Sequence, residues 1–191
     1  MKFHFDILAP VYELILGNEI SSAFMELLDL HEDYQVLEVG AGTGRISQNL
    51  IDTVQSVWIV DPSVKMLQEA RNRYPRLKVL KSYAEDLPFP ANCFDLVISY
   101  DSFHHWDHHQ TAINELYRVT KAGGRCIIAE INPLHRRGYF IKLMEEVFRM
   151  KSIFFSPKDL ETQLYVAGFE MVKSGWINPP TYYSLAKKPA M

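Results

Sequence analysis

Three glycines at every second position, Gly40, Gly42 and Gly44, follow an apolar run containing an acid, Glu38, in the stretch VLEVGAGTGR from Val36 to Arg45. Glycine turns through backbone conformations that other side chains forbid and lets a ligand lie against bare backbone. A second acid, Asp61, ends the next apolar run. A glycine turn after one strand, with a carboxylate closing the following strand, is the arrangement that holds a nucleoside by its ribose hydroxyls. The chain bends at Gly40 in this reading, and the ligand lies against Gly42 and Gly44. The dinucleotide spacing G-x-G-x-x-G fails in both registers, because Arg45 and Ser47 stand where its last glycine belongs. A pyrophosphate, and with it an NAD-dependent oxidoreductase, is disfavoured. The phosphate loop G-x-x-x-x-G-K-[ST] fails too, since the chain has no Gly-Lys pair. A nucleoside without phosphates remains. Glu38 agrees, because a carboxylate beside the loop repels phosphate and holds an ammonium group, directly or through water.

The second reactive stretch is DSFHHWDHH, from Asp101 to His109. A neutral imidazole titrates in the range a general base needs, so His104 and His105 are the catalytic candidates. The plainer alternative is that the pair packs and does no chemistry. His108 and His109 fall in the first turn of the next helix, where they are expected to be solvated. Adjacent helical residues point about 100° apart while i, i+4 pairs share a face, so only His104 with His108 or His105 with His109 could bind a metal together. No carboxylate signature completes such a set, and no metal is expected.

These residues need elements to hold them. Apolar runs of strand length alternate with helix-period segments, which predicts an α/β fold: a Rossmann-like, doubly wound, seven-stranded sheet with helices on both faces. The strands fall at 35–39, 56–60, 77–81, 94–99 and 125–130. A helical stretch from Arg45 to Asp52 follows the glycines. Asp107 with Gln110 reads as a capping box for a helix that buries Ala112, Ile113, Leu116 and Val119 and stops at Gly123 and Gly124. Ser156, Pro157 and Asp159 open another helix, which ends near Gly168. FEMVKSGW and TYYSLAKK then form an antiparallel C-terminal hairpin at the sheet edge. Two helical stretches cap the N-terminus over residues 1–30, the second burying Phe24, Leu27 and Leu28, and residues 133–155 insert a further amphipathic helix and an aromatic run. The whole is read as one domain over 1–191, with the cofactor core at 35–130 and the last helix and hairpin at 156–191.

The 191 residues, 48% hydrophobic and 23% charged, suit an ordinary globular chain. A chain of this length buries roughly 70% of its unfolded surface and needs neither disulfides nor a structural metal. Cys93 and Cys126 are distant and lack C-x-x-C spacing, as expected in a reducing cytoplasm. Asp6 and Glu13 interrupt the opening segment, which is therefore not read as a signal peptide, and no run approaches the roughly 20 apolar residues of a membrane span. A net charge of −3, with only the short basic stretch around Arg136 and Arg137, disfavours nucleic acid as a partner.

VLEVGAGTGR, VWIVDPSVKMLQEAR, YAEDLPFPANCFDLVISYDSFHHW and LYRVTKAGGRCIIAE, in that order and spacing, resemble the successive motifs of class I S-adenosylmethionine-dependent methyltransferases. The similarity is to the small-molecule branch that includes the ubiquinone and menaquinone biosynthesis enzymes, in the methyltransferase type 11 group. FDILAPVYE near the N-terminus matches more weakly. The resemblance implies S-adenosylmethionine as cofactor, with S-adenosylhomocysteine as product. It implies that Gly40, Ala41, Gly42 and Gly44 pack against the methionine and ribose parts, and that Glu38 reaches the amino group indirectly. Asp61 would bind both ribose hydroxyls, with Pro62 and Met66 near the adenine and the Ala84 amide on the ring. Ser99 and Tyr100 would border the amino group and sulfonium, and Tyr12 would close over the methionine end. The family usually has Gly-Asp before AEDLPF, the Asp accepting from the adenine amino group; here Ser82 and Tyr83 stand instead. Either Glu85 substitutes or the contact is lost.

The implied activity is methyl transfer to a small, apolar or aromatic acceptor. Phe3, Phe5, Tyr12, Tyr139, Phe140, Phe148, Phe154 and Phe155 either line that acceptor's pocket or anchor the cap to the sheet. Arg136 and Arg137 either pair with an anionic acceptor or mark an exposed helix end. A protein or nucleic-acid methyltransferase is disfavoured, because SYDS stands where N-P-P-[YF] would follow the fourth strand. A binding protein that keeps the fold without catalysis is the remaining alternative.

Overall fold

The computed structural model describes residues 20–147 and 152–190. Tyr12, Phe3, Phe5, Phe148 and the first N-terminal helix lie outside the described residues, as do the side chains of Arg137 and Phe140.

Seven strands form one sheet: β1 (Gln35–Val39), β2 (Ser56–Asp61), β3 (Lys78–Lys81), β4 (Phe94–Tyr100), β5 (Thr120–Ile131), β6 (Glu170–Asn178) and β7 (Thr181–Lys187), in the order β3-β2-β1-β4-β5-β7-β6. The first five are mutually parallel, and β7 is antiparallel to both β5 and β6. Strand periodicity divides the core between the two faces. Leu37, Val39, Val97, Cys126 and Ile128 pack on one face with Ala112, Ile113 and Leu116 of α3 (His109–Val119) and Leu160 and Leu164 of α5 (Pro157–Val166). Val36, Leu96, Ile98, Ile127 and Ala129 pack on the other with Phe24 and Leu28 of α1 (Ser22–Leu28) and Leu67 and Ala70 of α2 (Val64–Arg73). Because both faces are covered, the central strands read as nearly continuous apolar runs rather than alternating ones. The remaining helix, α4 (Arg136–Val147), follows β5. Among the described residues no helix is long and apolar enough to cross a membrane.

The expected α5 cap is present: Ser156 Oγ accepts from Asp159 N–H, and Pro157 opens the helix. Three local expectations are corrected. The stretch after the glycines is a 3₁₀ turn at Ser47–Leu50 and not a helix to Asp52. The helix α3 ends at Val119, and Thr120 already belongs to β5. The Gly123–Gly124 pair therefore sits inside that strand, in an irregularity where Phe94 pairs with Thr120 but Leu96 with Arg125. At Gly124 a Cβ would stand 2.9 Å from the Lys121 carbonyl oxygen and 3.0 Å from that of Asp95, so the bulge requires glycine by close approach. Finally, Asp107 does not cap α3; the backbone just before the helix is held instead by Glu85, which accepts from Asp107 and His108 N–H.

Candidate active site

The glycine loop begins where β1 ends. Gly40 and Ala41 N–H both donate to the Val60 carbonyl, at 2.9 and 3.1 Å, which swings the chain across the end of β2. Gly40 has φ +73°, and a Cβ there would lie 2.3 Å from Ser102 Oγ, so the position is closed to any other residue. At Gly42, among the described residues, an added Cβ would meet only Met66 Sδ, at 3.8 Å. A Cβ at Gly44 would instead strike Leu77 Cδ1 at 2.7 Å, so glycine is required there by the core.

Asp61 closes the loop. Its Oδ2 accepts from Gly42 N–H at 2.9 Å and its Oδ1 from Ser63 N–H at 2.8 Å. A carboxylate accepts about four hydrogen bonds, so holding the loop is compatible with gripping ribose hydroxyls as well. Ser63 in turn caps α2 by accepting from Met66 N–H at 3.1 Å, and Met66 and Ala84 are both buried. The described residues thus offer a backbone cradle beside Gly42, a fixed carboxylate at the end of β2 and an apolar floor at Met66. This donor set fits a ribose and adenine.

Glu38 lies behind the loop. It is buried, and its Oε2 accepts from both the backbone N–H and the hydroxyl of Ser47. Burial pushes its carboxyl up to about 7, against the opposing effects of the Ser47 hydroxyl and the Arg45 charge. Its described contacts therefore hold the turn after the glycines, which is consistent with only an indirect part in binding an ammonium group. Glu85 lies at the head of α3, where its Oε1 accepts from Asp107 and His108 N–H, both at 3.0 Å. Both bonds fall on one oxygen of the carboxylate. Pro62 is half-buried beside Asp61, and Tyr83 is 41% exposed.

Beyond β4 the chain turns through Asp101, at φ +52°, into a 3₁₀ turn at Phe103–His105. Strand alternation separates the two residues expected at the methionine end. Ser99 Oγ is 3.0 Å from Ser102 Oγ on the α3 face, whereas Tyr100 packs edge-on against Phe24 of α1 and under the Arg45 guanidinium, 5.6 Å from its ring centre. Ser102 Oγ donates to the Val39 carbonyl at 3.1 Å, which binds this turn to the base of the glycine loop.

One buried carboxylate organises the turn. Glu130, on β5, accepts from Ser102 N–H at 3.1 Å and Phe103 N–H at 2.7 Å through Oε1, while its Oε2 lies 2.6 Å from His104 Nδ1. His104 is buried, its ring stacks on Phe154 at 4.8 Å, and its carbonyl accepts from Ile153 N–H at 2.8 Å. His105 Nδ1 lies 3.0 Å from Ser152 Oγ. Burial, reinforced by the neighbouring His104, holds the His105 imidazole well below the ordinary histidine range. His109, expected in solvent, is instead buried between Phe103 and Phe155, at 4.8 and 4.6 Å between ring centres, and burial lowers its imidazole too. A short aromatic strap, residues 152–155, thus lies across the histidine turn. Tyr182 adds a further tie, its hydroxyl donating to the Phe155 carbonyl at 2.9 Å. Tyr139 is exposed and so is Arg136.

Asp101, His104 and Glu130 bring oxygen and nitrogen atoms within 4.8 Å of one another, a grouping that could be read as a metal site. Two ligands on one metal ion about 2.1 Å away stand roughly 3 Å apart or more, and the 2.6 Å approach of His104 Nδ1 to Glu130 Oε2 has the length of a hydrogen bond. Spacing reasoning missed Glu130, Ser102 and Ser47. Ser102 lies inside the DSFHHW motif and Glu130 ends the stretch LYRVTKAGGRCIIAE, but no short spacing ties Glu130 or Ser47 to the histidines or the glycine loop.

A sheet in this order, with a glycine loop clamped to the acid that ends its second strand, defines the class I S-adenosylmethionine-dependent methyltransferases. The chain belongs to that family: residues 37–128 match the family described as Methyltransferase domain. Over 165 residues it is 33% identical to the chloroplastic 2-methyl-6-phytyl-1,4-hydroquinone methyltransferase of Arabidopsis thaliana, covering 83% of this chain and 47% of that protein. It is 29% identical to the ubiquinone/menaquinone biosynthesis C-methyltransferase UbiE of Neisseria meningitidis serogroup A, covering 86% of this chain and 70% of that one. The chain spans about half the length of the plant relatives it matches. A solved S-adenosylmethionine-dependent methyltransferase from Thermotoga maritima superposes with a TM-score of 0.80 at 26% identity, covering 98% of this chain and 100% of that one.

Proposed function

We propose that the protein methylates a small phenolic molecule of the hydroquinone class, using S-adenosylmethionine. The observation that carries this reading is the buried histidine turn, roofed by Phe154 and Phe155, beside the carboxyl end of β4 and tied through Ser102 to the glycine loop. Ligands of open α/β sheets bind outside the carboxyl ends of the strands. The names of the quinone-methylating relatives support the same acceptor class.

When bound, S-adenosylmethionine supplies an electrophilic methyl carbon on a sulfonium. The chain's own contribution is alignment, which in such reactions is worth on the order of 7 to 11 kcal/mol. Asp61 holds the ribose hydroxyls and Gly42 gives them room; Met66, Pro62 and the Ala84 amide receive the adenine. Gly40 and Ala41 bend the loop, Glu38 steadies it, and Ser99, with Tyr100 and Tyr12, borders the methionine end. His104 takes the hydroxyl proton of the acceptor, which makes the phenol a better nucleophile. His105, held neutral, adds no positive charge beside a cationic cofactor. The unpaired cysteines Cys93 and Cys126 support a reducing, cytoplasmic setting, and the net charge of −3 supports a small-molecule acceptor over nucleic acid.

Calorimetric titration with S-adenosylmethionine, S-adenosylhomocysteine and NAD, on the native protein and on Asp61→Ala, tests the cofactor. A hydroquinone screen followed by mass spectrometry tests the acceptor. Micromolar binding of the first two compounds, lost in Asp61→Ala and absent for NAD, together with a methylated hydroquinone, is the expected result. Cofactor binding with no turnover of any phenol would reduce the protein to a binding module, and binding of NAD alone would overturn the reading.

A further inference from the structure

We infer that Arg45 is the carboxylate receptor of the cofactor site: its guanidinium takes the carboxylate at the methionine end of S-adenosylmethionine. The inference rests on the cofactor and is independent of the acceptor. In the sheet order β3-β2-β1-β4-β5-β7-β6 the chain winds outward in one direction from β1 and in the other from β4, and these two strands are parallel neighbours. Ligands of open α/β sheets lie in the crevice at such a switch point. Arg45 follows the last glycine of the loop that leaves β1, and its guanidinium lies 5.6 Å from the ring centre of Tyr100, the last residue of β4. A cation thus spans the crevice. On the other side of β1 the fixed carboxylate of Asp61 ends β2. A cofactor held there by its ribose reaches the end of β4 by extending across two strand spacings, about 10 Å. The tail that does so carries an ammonium and a carboxylate, and the carboxylate is the one anionic group of S-adenosylmethionine.

Arg45 is half-buried, and among the described residues its guanidinium makes no ion pair. A partly desolvated charge is stabilised by a partner, and a carboxylate matches the planar guanidinium fork with two parallel hydrogen bonds. Glu38 lies close enough to feel the Arg45 charge, but its Oε2 is engaged by the Ser47 amide and hydroxyl, and burial pushes its carboxyl up to about 7. Near neutral pH it leaves the guanidinium with charge to spare. The face of Tyr100 attracts a cation without neutralising it. The side-chain amides of Gln48 and Asn49 both donate to the Arg45 carbonyl, at 3.1 Å each, which fixes the backbone from which the side chain starts.

Calorimetric titration of native protein, Arg45→Gln and Arg45→Lys compares S-adenosylhomocysteine with its decarboxylated analogue, which keeps the thioether and the amine. Native protein should prefer S-adenosylhomocysteine by roughly 10- to 100-fold, the range of a hydrogen-bonded charge pair. In Arg45→Gln that preference should collapse to about threefold or less, S-adenosylhomocysteine weakening while the analogue binds as it does to native protein. Arg45→Lys, which has the charge without the fork, should keep an intermediate preference. In native protein labelled with ¹⁵N-arginine, the Arg45 Nε–H resonance should shift on adding S-adenosylhomocysteine and stay in place with the analogue.

Equal affinity of native protein for the two ligands overturns the proposal, as does an equal loss of both in Arg45→Gln, which would make the arginine a support of the loop. A preference kept in Arg45→Gln, with turnover of a carboxylated phenol lost instead, would assign the cation to the acceptor and overturn it too. Should Arg45→Gln fail to fold, the native preference and the Arg45 resonance decide the matter. If native protein binds neither ligand, the cofactor reading itself has failed and the proposal falls with it; a protein that binds both equally keeps that reading and loses only the role of Arg45.

Discussion

Replacing Gly40 with alanine inserts a methyl group where the cofactor loop and the histidine turn meet. The new Cβ would stand 2.3 Å from Ser102 Oγ and 2.6 Å from Ser102 Cβ, both below the 3.0 Å that Cβ contacts essentially never breach. The φ of +73° adds strain of its own, about 1 to 2 kcal/mol for a residue with a side chain. Relieving the clash moves Ser102 by roughly 1 Å and breaks its 3.1 Å bond to the Val39 carbonyl, worth about 1 kcal/mol. Gly40→Ala should therefore destabilise the fold by about 3 kcal/mol, a large fraction of a marginal total. Ser102→Gly removes both clashing atoms at a cost of about 1 to 2 kcal/mol for the lost hydrogen bond and added backbone freedom. Urea denaturation of the two single variants and the double variant measures the coupling. The double variant should be less destabilised than the sum of the singles by about 1 to 2 kcal/mol. S-adenosylhomocysteine affinity, weakened at least tenfold in Gly40→Ala, should recover in part. Additivity within about 0.5 kcal/mol would refute the contact between Gly40 and Ser102 as the reason for glycine.

Two further perturbations test the frame around the site. Glu38 titrates near 7 in the fold and near 4.5 outside it, so the folded state binds the extra proton between those values. Stability supplied by this group is fully present below pH 4.5 and is lost as pH rises through 7, by an upper limit of about 3 kcal/mol. Glu38→Gln should flatten that slope, and parallel stability curves for the native protein and the variant from pH 4.5 to 8 would contradict the burial argument. Leu116, fully buried between α3 and the sheet, should cost about 2 to 5 kcal/mol when cut to alanine. Because it lies away from the glycine loop, cofactor affinity measured on the folded fraction should be unchanged.

Much of the fold was legible because its signals are local. A strand covered on both faces must be apolar at nearly every position, so 35–39 and 94–99 stood out, and the Ser-Pro-x-Asp start of α5 carries its own capping chemistry. The cofactor site was readable for the same reason: a chain turning back at a strand end needs glycine, and the acid that receives its amide ends the next strand. Gly123 and Gly124 misled because paired glycines usually follow a helix. Here Gly124 is required by carbonyl oxygens of Lys121 and Asp95 that approach only after β5 has paired with β4, and Gly123 by its left-handed φ of +76°.

The sequence by itself determined the sheet, the helices on both faces, the nucleoside-holding loop and the family, since each depends on residue types at short, regular spacing. Only the tertiary structure decided what the charged and polar side chains do. Glu85 anchors α3 from 22 residues away, and Glu130 reaches His104 across 26. His109 is drawn from solvent into the core by the rings of Phe103 and Phe155. A buried carboxylate or imidazole must find partners to offset its desolvation, and those partners are chosen by which strand ends and turns the fold brings together, not by neighbours along the chain.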